Sequence, residues 1–293
     1  MTRFHHFAAI DWSGAVGERL PGIAVALCGE AGAPALVRPG HVWSRAEVLD
    51  WLLRDLPPDT LVGLDLGLSL PFADCRAFLP GWQASPADAR GLWALVEQVC
   101  AADPHLGVAS FIDHPAASRH FRRHGGREGD LFHLPGAAHR RGRLRVTEGE
   151  QAARLGCRPT SSFNLVGAAQ VGKASLSGMR LLQRLPPTLP VWPLDPLPDA
   201  GSVVVEIYTA IPALAAGRLA GRAKMRSMEQ LNTAVTALGS APVPGSGPIS
   251  DHAADALLAA AWLRVAAEQA HLWHPPALTP DLARTEGWTF GVP

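Results

Sequence analysis

Lysine is almost missing from this chain. Lys173 and Lys224 are its two examples, and the other basic residues are arginines. Charge is scarce altogether: 18% of 293 residues are charged, with 26 basic residues balanced by 26 acidic ones. A formal net charge of zero removes any argument from global charge for a nucleic-acid partner. Cysteine is sparse too. Cys28, Cys75, Cys100 and Cys157 lack both zinc-type spacing and the density of a disulfide scaffold, and they fit a reduced, cytoplasmic setting. No apolar stretch of signal-peptide type occupies Met1 to Asp11, and the longest apolar run near the end, Ala253 to Leu263, is too short for a bilayer. An intracellular protein without a membrane partner is expected. The histidines do not recur at zinc-ligand spacing, and Asp113-His114 has no identifiable serine or cysteine nucleophile beside it.

What is present is 47% apolar residues, enough for a sizeable core. Residues 7–11 read as a buried strand, 23–28 as a second and 35–43 as a third, at the close spacing of antiparallel hairpins. Ser44-Arg45-Ala46-Glu47 spells a capping box, so a helix should follow toward Pro57. A fourth strand covers 61–65, and Ser85-Pro86-Ala87-Asp88 opens a second helix. Residues 104–200, rich in proline, glycine and histidine, read as short helices and loops inserted into the main fold. Val203 to Tyr208 is the fifth strand. Helices are expected from Ser227 to Leu238 and from Ser250 to about His271. Hairpin strands followed by β–α units imply an α/β fold, a mixed five-stranded sheet with helices on both faces and a long insert before the last strand. The whole of 1–293 is read as one domain. In such a sheet the first strand can sit centrally beside the fourth, at the carboxyl edge where open α/β sheets bind ligands.

Two of these strands end in an acid, Phe7-Ala-Ala-Ile-Asp11 and Leu61-Val-Gly-Leu-Asp65. Asp11 is followed by Ser13 and Gly14, a small polar turn suited to a phosphate or a metal-bound water. Asp251 and Asp255 stand four apart and so share a helix face, where like charges repel unless a cation lies between them. Asp255 is embedded in an apolar helical run, and a buried carboxylate needs a partner. Glu206, within a valine-rich strand, raises the same question; a buried salt bridge to an arginine of the insert is its bland answer. Oxygen-rich clusters suit Mg²⁺ or Mn²⁺.

Gly167 to Ala174 almost spells a phosphate-binding P-loop, but Ala174 follows Lys173 where Ser or Thr is required, so a Walker-type ATPase is rejected. Lys173, with Gln170 and Ser175, is kept as a phosphate contact, as is Lys224. The stretch from His114 to Arg145 carries eight arginines, among them Arg140 and Arg141, against Glu128 and Asp130. Such a local patch can steer a polyanion at zero net charge, or it can be a solvated surface laced with ion pairs.

The element order and these acids resemble the ribonuclease-H-like superfamily, and Ser250 to Leu257 looks like the C-terminal helix of its Holliday-junction resolvases. More closely, the chain resembles a prokaryotic family of predicted nucleases with that fold (domain of unknown function 429). The resemblance rests on Ala9-Ile10-Asp11, Gly63 to Leu68, Val205-Glu206-Ile207-Tyr208, Asp251 to Leu258 and Glu286-Gly-Trp-Thr-Phe-Gly291. It implies metal ligands at Asp11, Asp65 and Asp251 or Asp255; Glu206 fits the family's strand motif, and our working expectation is that it joins as a third ligand or holds the ligands from behind. It further implies Mg²⁺- or Mn²⁺-dependent phosphodiester hydrolysis of DNA or RNA. Ribonuclease H itself adds a helix glutamate, for which the sequence offers no clear counterpart. Two rival expectations stand beside this one. A phosphotransferase akin to sugar kinases and actin-like ATPases would use Asp65 to Ser69 as a phosphate loop, and a non-catalytic nucleic-acid binder would keep the fold alone.

Overall fold

The computed structural model describes residues 3–134, 142–166, 171–219 and 224–293. Among these, six strands make one mixed sheet: β1 (His6–Asp11), β2 (Ala24–Gly29), β3 (Ala35–Leu36), β4 (Thr60–Asp65), β5 (Val191–Trp192) and β6 (Val203–Glu206). Their order is β3-β2-β1-β4-β6-β5. The first three pair antiparallel, and β4, β6 and β5 continue from β1 in parallel. The hairpin start and the central β1 beside β4 are as read from the sequence. The strand total is not: β5 arises from the stretch read as insert and forms the outer edge beside β6. Pro190 and Pro193 flank it, and proline cannot donate a ladder hydrogen bond, so this edge strand is two residues long. The third strand is also shorter than its expected 35–43, because Arg38 and Gly40 on either side of Pro39 take positive φ and turn the chain.

The described helices are α1 (Arg45–Arg54), α2 (Ala89–Val99), α3 (Ala109–Asp113), α4 (Val146–Leu155), α5 (Val171–Leu182), α6 (Ala210–Ala215), α7 (Met228–Ala237), α8 (Asp251–Ala266), α9 (Ala270–Trp273) and α10 (Pro280–Thr285). Both halves of the Ser44/Glu47 capping box form at α1. Helix α2 is capped by Asp88, not Ser85, through a 2.8 Å bond from the Gly91 N–H. Ser227 and Ser250 cap α7 and α8. The last of these stops at Ala266, short of His271, and the chain resumes as α9. No helix among the described residues is long and apolar enough to cross a membrane.

Side chains alternate across a strand, and the alternation here separates two cores. Ile10, Leu64 and Val204 face Trp51 of α1, Trp93 of α2 and Met179 of α5. Phe7, Ala9, Leu61 and Val205 face Leu231 of α7, Leu258 and Leu263 of α8, and Trp288 and Phe290. Helices therefore cover both faces of the sheet. Helix α8 lies against β1 and β2, and its run of buried alanines permits that close approach. The same parity decides the acids. Asp11 and Asp65 share the phase of Ala9 and Gly63, on the α8 side. Glu206 shares the phase of Val204, on the opposite side.

Candidate active site

A cleft of about 540 Å³ opens at the carboxyl ends of β1, β4 and β6, and Asp11, Asp65, Glu206, Asp251, His252 and Asp255 all line it. Asp11 and Asp65 are register partners, placed side by side by the parallel pairing of β1 and β4. Asp255 reaches the same place from the first turns of α8. Asp11 is buried, and Asp65 and Asp255 are half-buried. All three carboxyls hold their protons more tightly than usual. Burial pushes Asp11 up against the pull of His252. Burial, then the charges of Asp11 and Asp255, push Asp65 well up. Burial and the charge of Asp11 raise Asp255 to about 7. These acids are short of positive charge.

Each acid has a modest local partner. His252 Nδ1 is 2.8 Å from Asp11 Oδ2, and the imidazole is raised by that hydrogen bond. Thr209, just beyond β6, donates its hydroxyl to Asp65 Oδ2 at 3.5 Å. The turn after Asp11 is fixed from behind by Arg45. This buried guanidinium donates to the carbonyls of Ser13 (2.8 Å), Ala15 (2.6 Å) and His105 (3.0 Å), and burial lowers it to about 10. Ser13 lines the cleft, its hydroxyl accepting from the Ala15 N–H at 3.2 Å. Gly14 presses on α5 so closely that a Cβ would come 2.5 Å from the Ala174 nitrogen.

The remaining acids are already partnered. Glu206 accepts from Arg145 Nη1 (2.8 Å) and Nη2 (2.5 Å), from the Leu68 N–H (2.8 Å) and from the Thr289 hydroxyl (2.6 Å). The geometry favours the bland expectation for Glu206: strand phase puts it on the face opposite Asp65, and it shares Arg145 of the insert with Glu148. Asp251 is bound by Lys224 Nζ at 2.8 Å and approached by Arg226 at 3.6 Å, and the Lys224 bond draws its carboxyl below the usual range. Of the 251/255 pair, Asp255 is the member left facing Asp11. Helix α4 supplies a glutamate to the cleft wall, Glu148, but Arg145 Nη2 holds it at 2.6 Å. Among the described residues, no three His, Cys, Asp or Glu side chains stand at metal-holding spacing.

The basic stretch does not form an open cationic patch where it is described. Arg119 pairs with Asp130, Arg122 with Glu128 and Arg123 with Asp113, while Arg143 is buried on Asp74. Arg140 and Arg141 lie outside the described residues, as do residues 167–170 of the P-loop-like segment. Lys173 does not line the cleft, although Ala174 and Ser175 beside it do. Sequence reading missed His252, Thr209, Arg45 and Arg145 as parts of the site. His252 had a usable signal, since it lies three residues before Asp255 on one helix face. Arg45, in a capping box, had none. Compared with family models, curated proteins and solved structures, the chain matches none of them.

Proposed function

We propose that this cleft is the active centre of a divalent-cation-dependent phosphodiesterase acting on nucleic acid, built on a sheet of the ribonuclease-H-like kind. The carrying observation is the in-register pair Asp11 and Asp65 at the ends of neighbouring parallel strands, faced by Asp255. Asp11, Asp65 and Asp255 do not stand at metal-holding spacing as the side chains now lie, but carboxylate oxygens inside a cleft are the donors that hard divalent cations take, so the residues suit Mg²⁺ or Mn²⁺ by chemistry and would have to close on the ion. The three would hold such ions; Glu206 and Asp251 would not. The metal would supply an activated water and charge stabilisation at the phosphate.

The chain's own contributions are positional. His252 orients Asp11, and Thr209 orients Asp65. Arg45 holds the Ser13–Gly14 turn against the cleft, leaving a small polar surface for a phosphate oxygen. The strand order supports the fold assignment: three hairpin strands, then parallel strands added on the other side of β1. Support for nucleic acid comes from the carboxylate chemistry and not from a basic surface.

The test is Mn²⁺ calorimetry on the purified protein, with cleavage assays on single-stranded, duplex and branched DNA and RNA. Uptake of Mn²⁺ and cleavage of at least one substrate are expected, both lost in Asp11→Asn and Asp65→Asn. A wild-type protein that neither takes up Mn²⁺ nor cleaves any of these substrates overturns the proposal.

A further inference from the structure

Among the described residues, one lysine stands at the cleft with its side chain largely exposed. Lys224 lines the cleft with its side chain 68% exposed, and its ammonium lies near enough to Asp11 and Asp255 to stabilise both carboxylates. Its backbone is fixed although its tip is exposed to solvent. The next residue, Met225, is fully buried, and the Arg226 carbonyl accepts from the Ile249 N–H at 3.2 Å. Residue 249 leads directly into α8, so the segment bearing Lys224 is tied to the helix bearing Asp251. The 2.8 Å bond from Lys224 Nζ to Asp251 Oδ2 then sets where the ammonium points.

Charge divides the acids of this cleft into two sets. Asp251 has two cationic side chains within 3.6 Å, and a divalent ion seated on it would meet both. Among the described residues, no arginine or lysine is hydrogen-bonded to Asp11, Asp65 or Asp255. We infer that Lys224 is the cation that meets the substrate phosphate, and that Asp251 is a positioning residue that aims it rather than a member of the metal-holding set. The inference rests on the phosphodiesterase reading and assigns two residues within it. The ammonium donates to a non-bridging phosphate oxygen, a charge-assisted bond of the kind lysine makes as a point charge.

The test compares Lys224→Ala, Lys224→Arg, Asp251→Asn, Asp255→Asn and the Lys224→Ala/Asp251→Asn pair. Mn²⁺ affinity is read by calorimetry without nucleic acid, and KM and kcat are read on an oligonucleotide that the wild type cleaves. Lys224→Ala and Asp251→Asn should each raise KM about tenfold, as expected for one charge-assisted bond. The pair should be no worse than Lys224→Ala alone, because the two residues act as one unit. Lys224→Arg should recover most of the loss. Mn²⁺ should bind Asp251→Asn within about threefold of wild type, while Asp255→Asn loses tenfold or more. Loss of Mn²⁺ affinity in Asp251→Asn equal to that in Asp255→Asn overturns the inference, as does additivity in the pair. Should Asp251→Asn fail to fold by circular dichroism, an unchanged KM in Lys224→Ala overturns it alone. A wild type that neither binds Mn²⁺ nor cleaves removes the phosphodiesterase reading and this inference with it, an outcome distinct from either of the others.

Discussion

Asp11 and Asp65 oppose each other directly across the β1–β4 pairing, both on the α8 face of the sheet. Two acids so placed, with Asp255 beside them, repel one another when no cation is present. Asp65→Asn should therefore stabilise the metal-free protein, by about 1–2 kcal/mol or a few degrees in thermal midpoint. On the proposed metal reading, Mn²⁺ should stabilise the wild type and the same change should abolish that gain. Thermal unfolding in chelator and in Mn²⁺ reads both effects, and a lower midpoint in chelator would count against mutual repulsion.

Glu206 should behave in the opposite way. Glu206→Gln leaves Arg145 buried with one fewer counter-charge and weakens four hydrogen bonds, at a cost of about 2–4 kcal/mol in urea unfolding. Its Mn²⁺ affinity should stay near wild type. A stable Glu206→Gln protein that has lost Mn²⁺ would restore Glu206 to the ligand set.

Gly14 separates backbone fit from chemistry. In Gly14→Ala the new methyl carbon meets the Ala174 nitrogen at 2.5 Å and the Lys173 Cβ at 2.8 Å, both parts of α5. The turn must move, destabilising the fold by about 1–3 kcal/mol. Because that turn lines the cleft, kcat/KM should fall about tenfold while Mn²⁺ uptake persists. Unchanged kinetics would show that the turn does not touch the substrate.

His120 predicts an acid limb in stability. Its ring is buried, Nδ1 has no hydrogen-bond partner among the described residues, and burial with the charges of Arg143 and Arg119 pushes it down to about 4. The unfolded chain, with an ordinary histidine near 6.5, binds the proton first as pH falls. Stability is thus full above about 6.5 and lost progressively toward 4, by up to about 3 kcal/mol. His120→Gln, which has no titrating proton, should flatten that part of the stability–pH curve measured by urea unfolding.

Much of this was legible because certain residues speak locally. The two strands ending in aspartate announced their shared sheet edge, and Ser44, Ser227 and Ser250 announced helix starts through hydroxyls that cap orphan N–H groups. The orientation of Glu206 was not legible, since Val203, Val204 and Val205 are apolar on both faces and leave no alternation to read. Asp251 and Asp255 share a helix face, and only the fold brings Lys224 to the first of them. The arginines of 114–145 gave a charge density but not the identity of the acids they meet, most of which arrive from other segments or from a few residues along a loop.

One consequence follows from the way the segment 286–290 is woven in. Glu286 receives the N–H groups of Phe72, Ala73 and Val146, and Thr289 quiets Glu206. A nascent polypeptide that has emerged only as far as α8 already owns every acid of the cleft, yet Glu206 and the loop after β4 still wait for this latch. During synthesis, the wall of the cleft behind β4 and β6 should therefore be completed only once this segment is in place.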